Sequence, residues 1–448
     1  MEFLAALPFL IFSLYAVYSF SVKPVGAVIC ILLASLVNAW FVALPTVKIG
    51  LNIYIHDGVF ILIFISAMIR IFFMGQFRYI SPLWTIYGLL LFYGLFVGYK
   101  LNGTNAGVDF RDLFYYWTGV LYFMSFTYFK ESLDKILKYW LLICSILLLI
   151  VYFRLVAELL HLPIAATWIK ADSGDIRFRV INAGQAYLLG MSIIMLFSRY
   201  LIPSVIKPSK VITVLFIIAV IALQHRSVWA ATLFAILSAS FLPSVKSSNL
   251  LSNILAVGLL GFILLSPILY FGFADKILGM IGKSAERATN LTGGTFGDRV
   301  RGWQLIIKYW LQSPFLNKLI GDPFGGGYAG MKTFPHNFTF QNLLRVGALG
   351  TFIFFSFYLL ILRKLYLNIR KNSEDKFYSA LFFMLIISQI LYYIPYGTHP
   401  ELGIILGIAA SLANRRIVTK NNAQNEILKN SQYFLNTPQS KNFKLIKP

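Results

Sequence analysis

The chain has 448 residues, of which 58% are hydrophobic and only 12% charged, and its formal net charge is +22 at pH 7. An ordinary soluble domain carries about a quarter charged residues, so this composition excludes a soluble fold and predicts a protein embedded in a lipid bilayer. The positive charge does not indicate nucleic-acid binding, because the lysines and arginines lie in short segments between apolar runs and in the tail, where membrane topology signals belong.

Long apolar runs recur along the whole chain. They are continuous rather than alternating, and backbone groups in lipid must pair internally, so each run predicts a helix and not a barrel strand. The runs cover residues 3–20, 25–45, 57–74, 82–99, 112–129, 136–156, 183–202, 211–224, 228–243, 251–273, 343–362, 377–395 and 400–414. We therefore predict an all-α integral membrane protein with about 12–13 transmembrane helices, of which 211–224 and 228–243 are short for a ~30 Å hydrocarbon core.

The first run has no basic segment before it and no small-residue cleavage site, which predicts a first span and not a removable signal peptide. Basic loops stay in the cytoplasm, and here they alternate along the chain with loops that carry few cations. The basic set contains Lys23, Arg70, Arg78, Lys130, Lys207, Lys246, Arg363 and Lys371. The other side then receives one long polar loop, 274–342. We predict a single membrane domain over 1–414 and a basic, disordered cytoplasmic tail over 415–448.

Three polar motifs lie on the side opposite the basic loops. The first is QHRSVW at 224–229, and the second is GDRVRGWQLIIKYWLQSPFLNKLIGDPFGGG, in which Arg299 stands four residues before Trp303. The third is PHNFTFQNLLRVGALG, in which His336 precedes a glycine pair spaced Gly-x-x-Gly. In order, spacing and sidedness the three motifs resemble those of the O-antigen ligase and O-antigen polymerase superfamily of bacterial inner-membrane glycosyltransferases.

The resemblance covers about 211–362, roughly a third of the chain, and it departs from the family pattern in two places. His225 stands where the family commonly has Ser or Thr before the arginine, and the glycine-rich turn is longer than usual. What the resemblance implies is a GT-C-like membrane fold with its active site on the long periplasmic loop. The donor would be a glycan on undecaprenyl diphosphate, and the location would be the bacterial inner membrane.

The chemistry of such a transfer assigns roles to three residues. The diphosphate gains negative charge as the anomeric bond breaks, and an enzyme stabilises that charge with a metal or with preorganised cations. The sequence shows no cluster of metal ligands on the outer side, and we predict neither metal nor cofactor. Arg226 and Arg299 are the expected diphosphate ligands, because a guanidinium binds phosphate oxygens with two parallel hydrogen bonds. His336 is the expected base for the acceptor hydroxyl.

Further candidates surround these three, and each has a structural alternative. The predicted substrate contacts are Asn337, Arg301, Trp303, Arg177 and Arg179. Asn337 would orient His336 or the acceptor, and the arginines at 177 and 179 would attract anionic lipid. Arginines at helix ends also reach lipid headgroups, and tryptophan also anchors helices at the membrane interface. Asp57, Arg111 and Asp112 are expected to orient helices, and Glu401, on an outward-facing turn, has no assigned role.

The predicted function is polymerisation of a surface polysaccharide (O-antigen, exopolysaccharide or capsule), with the hydroxyl of a lipid-linked repeat unit as acceptor. A ligase that transfers the glycan to lipid A–core, or to protein, has the same motifs and stays open. A flippase or transporter for the same lipid-linked glycan, and a non-catalytic scaffold, are the alternatives from other classes. Expected partners are the donor, a glycan or lipid acceptor, the bilayer, and chain-length regulator or flippase proteins.

Overall fold

The computed structural model describes residues 2–41, 46–49, 51–160, 162, 180–201, 209–243, 245, 247–268, 294–328, 337–371 and 376–414. Helices dominate this part of the chain, and all thirteen predicted apolar runs coincide with one. The helices are α1 (Glu2–Val22), α2 (Pro24–Trp40), α3 (Ile55–Met68), α4 (Pro82–Asn102), α5 (Asn105–Met124), α6 (Lys130–Leu159), α7 (Ala183–Leu201), α8 (Lys210–Ala222), α9 (Arg226–Ser238), α10 (Ser247–Ile268), α11 (Gly294–Gln312), α12 (Phe315–Ile320), α13 (Phe338–Arg370), α14 (Lys376–Tyr392) and α15 (Leu402–Asn414).

Short elements supplement the helices. An antiparallel hairpin of β1 (Thr46–Ile49) and β2 (Leu51–Tyr54) joins α2 to α3. A π-helical segment, Ile69–Phe73, extends α3, and 3₁₀ turns follow it at Gln76–Tyr79 and end α9 at Ala239–Phe241. The apolar-run pattern did not predict the hairpin. The all-α class is otherwise confirmed for the described residues.

Helix lengths fall into two groups. Four helical segments are long and apolar enough to cross a membrane, by length and composition: Ile55–Phe73, Pro82–Asn102, Lys130–Glu158 and Phe338–Arg370. Shorter apolar helical stretches of 10–17 residues stand beside them, and α8, for example, has 13. At 1.5 Å per residue α8 is about 20 Å long. The prediction that residues 211–243 form a short helical pair is therefore confirmed.

The outer surface of the helices is apolar. Large side chains with more than 60% exposure stand on α1, α6, α10 and α13, for example Phe12, Leu149, Leu255 and Phe352. The inside of the bundle is aromatic, and Trp84, whose ring stacks on the ring of Tyr87 at 5.1 Å, is fully buried there. The bundle is therefore apolar on both its inner and its outer faces. Soluble monomers rarely expose apolar surface on this scale.

Candidate functional site

The start of α9 combines a strained turn with an arginine. Gln224 has a left-handed backbone (φ +54°), which costs a non-glycine residue about 1–2 kcal/mol. Buried His225 follows and donates from Nε2 to the carbonyl of Ile181 at 3.2 Å. Half-buried Arg226 is then the first helical residue. A cation at the positive end of a helix does not stabilise that helix, so helix stability does not explain Arg226. The arginine and the helix end would both attract an anion.

Arg299 and Trp303 of α11 each pack against an aromatic ring of the bundle. The Arg299 guanidinium lies over the ring of Tyr396, 5.2 Å from its centroid. One turn later Trp303 packs on Phe340 of α13, with ring centroids 5.8 Å apart. Residues four apart share a helix face, and both face the bundle, whereas the side chain of Arg301 is exposed. The structure therefore places Arg299 against an aromatic residue of the bundle.

Asn337 fixes the start of α13. Its Oδ1 accepts from the backbone N–H of Phe340 at 3.0 Å, and its Nδ2 donates to the carbonyl of Ile394 at 2.6 Å. The next N–H, that of Phe338, lies 3.0 Å from the Tyr393 carbonyl oxygen. Asn337 is thus a buried N-cap that ties α13 to the turn after α14. The predicted contact of Asn337 with substrate stays a prediction. His336, Arg177 and Arg179 lie outside the described residues.

A stack of tyrosines connects these elements. Tyr396 stacks on Tyr392 with centroids 4.9 Å apart, and Tyr392 stacks on Tyr187 of α7 at 4.0 Å. The Tyr392 hydroxyl lies 2.9 Å from Nε2 of His399. Burial, and to a smaller extent the neighbouring His56, lowers the pKa of His399 to about 4, so its ring is neutral at pH 7. His225 bonds to the carbonyl of Ile181, just before α7, and this bond places the start of α9 at the same end.

The candidates on described residues therefore meet at one end of the bundle. The starts of α7, α9 and α13 and the turn between α14 and α15 are all at this end, and Arg299 adds the start of α11. We call it the tyrosine end, after Tyr187, Tyr392 and Tyr396. Its five elements come from sequence positions more than 200 residues apart.

A polar cavity of about 410 Å³ opens beside the tyrosine end, and the sequence analysis missed it. Its lining includes Ser35, Asn38, His56, Asp112, Gln185 and Glu401. The side chain of Glu401, on the turn before α15, is only 7% exposed, so its carboxylate points into the protein. One sequence feature could have indicated this cavity, namely the ionisable residues at the ends of apolar runs, because such residues mark functional positions in membrane proteins.

Helix-orienting contacts border this cavity. The carboxylate of Asp57 pairs with Arg111 at 3.1 Å and accepts from the hydroxyl of Tyr115. The guanidinium also donates to the carbonyl of Asn52 at 3.0 Å. These bonds tie the hairpin and α3 to α5, which agrees with the orienting role expected for Asp57 and Arg111.

The glycine-rich turn at 321–328 is packed into the bundle. Phe324 is fully buried, its N–H donates to the carbonyl of Gly94 at 3.3 Å, and its own carbonyl accepts from Asn102 Nδ2 at 2.7 Å. A Cβ at Gly98 would lie 2.5 Å from that carbonyl oxygen. Glycines of α4 thus allow the turn to approach the helix backbone.

An ion pair holds the same turn from the other side. Arg345 of α13, 1% exposed, pairs with Asp109 of α5 at 2.5 Å and donates to the carbonyls of Pro323 and Gly327 at 3.1 and 2.7 Å. Asp109 in turn accepts from the N–H of Gly325 at 2.9 Å. Arg345 and Asp109 thus hold the 321–328 turn through both its carbonyls and an N–H.

Within the described ranges, no group of three or more His, Cys, Asp or Glu side chains is placed to hold a metal ion. Comparisons with models of known protein families and with curated proteins found no match for this chain. The resemblance of its motifs therefore stays a prediction.

Proposed function

We propose that this chain is a glycosyltransferase of the bacterial inner membrane that polymerises a surface polysaccharide. In this proposal the donor glycan leaves undecaprenyl diphosphate and joins a hydroxyl of a lipid-linked repeat unit. The observation that carries the proposal is the tyrosine end. Arg226 and Arg299, the expected diphosphate ligands, lie there with Asn337, which directly follows the expected base, His336.

The membrane part of the proposal rests on the helix surfaces. Four segments have the length and composition to span a bilayer, and further apolar helices expose Phe and Leu side chains around them. With all thirteen apolar runs spanning or dipping into the bilayer, the fold would be GT-C-like. The tyrosine end would then be periplasmic and the basic loops and tail cytoplasmic.

The proposed reaction divides its work among three side chains. Neutral His336 takes the proton of the acceptor hydroxyl, and the oxygen forms a bond to the anomeric carbon of the donor. The bond between that carbon and the diphosphate oxygen breaks, and the diphosphate leaves with the electron pair. Arg226 at the start of α9 and Arg299 on Tyr396 stabilise the charge that develops there.

Complementation of a strain that lacks this protein tests the proposal. His336→Ala, Arg226→Ala and Arg299→Ala should each abolish the ladder of surface polysaccharide. Loss of one charge-stabilising group costs about 10²–10³ in rate, and loss of a general base costs about 10²–10⁴. Arg299→Lys should fail as well, since an ammonium lacks the planar fork. Arg363→Ala, on the exposed face of α13, is the matched control and should complement fully.

Protein levels in the membrane are checked by immunoblot for every variant. A single repeat unit left on the lipid anchor indicates a lost polymerase, whereas finished chains stranded on the carrier indicate a lost ligase. Full activity of all three alanine variants contradicts the glycosyltransferase mechanism. Transport or scaffolding would then be favoured.

A further inference from the structure

We propose that the polar cavity beside the tyrosine end binds the saccharide of the acceptor, a polyhydroxylated sugar, separately from the diphosphate. This inference rests on the proposed function, because it names a binding site for one of the two substrates. The cavity volume, about 410 Å³, lies in the range of small-molecule pockets, about 300–1,000 Å³.

The chemistry of the lining suits hydroxyl groups. Asn38 and Gln185 carry amides with both donors and acceptors, Asp112 and Glu401 carry acceptor oxygens, and Tyr54 adds a ring and a hydroxyl. A sugar hydroxyl both donates and accepts, so it needs this mixture. The amide of Gln185 already bonds to the N–H of Asn182 and to the carbonyl of Ser35, and an amide has further donor and acceptor capacity that a polar ligand can use and an apolar one cannot.

The charge of the lining excludes the diphosphate. Asp112 and Glu401 both line the cavity, and the lining cation, Arg111, is already paired with Asp57 at 3.1 Å. Carboxylates repel phosphate oxygens, whereas Arg226 and Arg299 attract them. The saccharide and the diphosphate would therefore bind at different places, although the net charge of the whole chain is +22.

A directed chain of hydrogen bonds prepares the buried carboxylate. The Asn38 amide donates to Nδ1 of His56 at 2.9 Å, so the proton of the neutral ring is on Nε2. Nε2 lies 3.4 Å from the Ser35 hydroxyl, and that hydroxyl donates to Oε1 of Glu401. Ser35 is thus held as a donor to Glu401 and is not activated as a nucleophile. The network fixes the carboxylate as an acceptor before a ligand arrives.

The cavity is adjacent to the proposed reaction site. His399 lines the cavity and contacts Tyr392, and Tyr392 stacks on Tyr396. The guanidinium of Arg299 lies over the Tyr396 ring. A saccharide in the cavity would therefore be separated from the expected diphosphate ligand by two stacked rings.

Binding of a phosphate-free oligosaccharide tests the inference. The probe is the repeat-unit oligosaccharide released by mild acid from the host bacterium's own surface polysaccharide. The full-length protein in detergent is examined by saturation-transfer NMR and calorimetry. We expect binding to the wild type and at least about tenfold weaker binding to Asp112→Asn and Glu401→Gln, because each change replaces an acceptor oxygen by an amide donor that the bound hydroxyl cannot use in the same way.

Two control variants locate the effect. Glu131→Gln makes the same kind of change at an exposed position at the start of α6 and should bind like the wild type. Arg299→Ala should also bind the oligosaccharide normally, and inorganic diphosphate should not displace it. Elution on size exclusion and the apparent Tm show that each variant is folded.

Absence of binding to the wild type at millimolar oligosaccharide overturns the inference. Binding that neither Asp112→Asn nor Glu401→Gln weakens overturns it too, since the sugar would then lie elsewhere. The proposed function fails in a different way, through full complementation by all three alanine variants, His336→Ala, Arg226→Ala and Arg299→Ala. The experiments therefore distinguish failure of the cavity inference from failure of the proposed function.

Discussion

Arg345 shows how a single side chain can hold a segment of the candidate site in place. It is fully buried, its charge is balanced by Asp109, and two of its N–H groups are used by carbonyls of the 321–328 turn. A buried charge is expensive unless it is both paired and hydrogen-bonded. Both conditions hold here, so each partner depends on the other.

Arg345→Ala should therefore destabilise the protein strongly, by about 3–5 kcal/mol, because it leaves the Asp109 carboxylate buried without its cation. Thermal unfolding in detergent, followed by tryptophan fluorescence, measures the effect as a lower apparent Tm. Arg363→Ala is the control, since it removes the same side chain from an exposed position of the same helix. An Arg345→Ala protein as stable as the control would contradict the structural role of the ion pair.

The sequence predicted part of the candidate site at this scale. The sequence singled out Arg299 and Trp303 by their four-residue spacing, and the structure places both against the bundle. His56, His399 and Glu401 were not predicted as a group, because more than 340 residues separate the first from the other two. Such contacts depend on which helices pack together, and hydropathy alone does not encode that.

Among the elements, α13 carries the strongest backbone constraint. It bends at Gly347, whose φ is +65°, and α12 ends at Gly321, whose φ is +91°. A Cβ on Gly347 would overlap the Leu319 carbonyl, and one on Gly321 would overlap the Arg345 carbonyl. The two glycines thus let α12 cross the bend at backbone distance.

Gly347→Ala and Gly321→Ala should each lower the apparent Tm and the amount of protein in the membrane. The added methyl group meets backbone atoms that cannot move aside, and both positions have a left-handed φ that alanine disfavours. Gly258→Ala in α10 is the matched control, because a Cβ there meets nothing within 4 Å. Equal stability of all three alanine variants would show that the crossing of α12 and α13 is looser than described.

Hydropathy predicted the existence of the helices better than their ends. The apolar run at 343–362 stops before Arg363, yet α13 continues to Arg370 because Leu365 and Ile369 remain buried on one face. The run at 25–45 is longer than its helix, since α2 ends at Trp40 and the hairpin begins at Thr46. Charged residues on one face interrupt a hydropathy window but not a helix, and this explains the late end of α13.

At the scale of the whole molecule, the two ends of the bundle differ in their polar groups. The tyrosine end collects the buried histidines, Glu401 and the cavity. The opposite end holds Arg70, which donates to the carbonyls of Ser21 and Ser125, and Asp134, which accepts from Tyr378. Among the described basic residues predicted to be cytoplasmic, Lys23, Lys130 and Lys371 lie at this second end. The bundle therefore has a polarity that can be tested against a membrane.

Cysteine labelling in spheroplasts checks that polarity. In a background with Cys30→Ala and Cys144→Ala, single cysteines replace the exposed residues Thr104, Glu131 and Lys371. Thr104 follows α4 at the tyrosine end of the bundle. Glu131 starts α6 and Lys371 follows α13 at the opposite end. A membrane-impermeant maleimide should label Thr104→Cys at once and the other two only after permeabilisation, because basic loops stay inside.

The alternative labelling patterns have distinct meanings. The reverse pattern would place the tyrosine end in the cytoplasm, away from a periplasmic donor, and would contradict the proposed polymerase. Equal labelling of all three positions before permeabilisation would contradict a membrane-spanning bundle, despite its apolar surface. The predicted pattern would bring Arg226, Arg299 and the cavity to the side where undecaprenyl-diphosphate-linked glycans are expected to be joined, so that the site variants could then be interpreted as chemistry rather than topology.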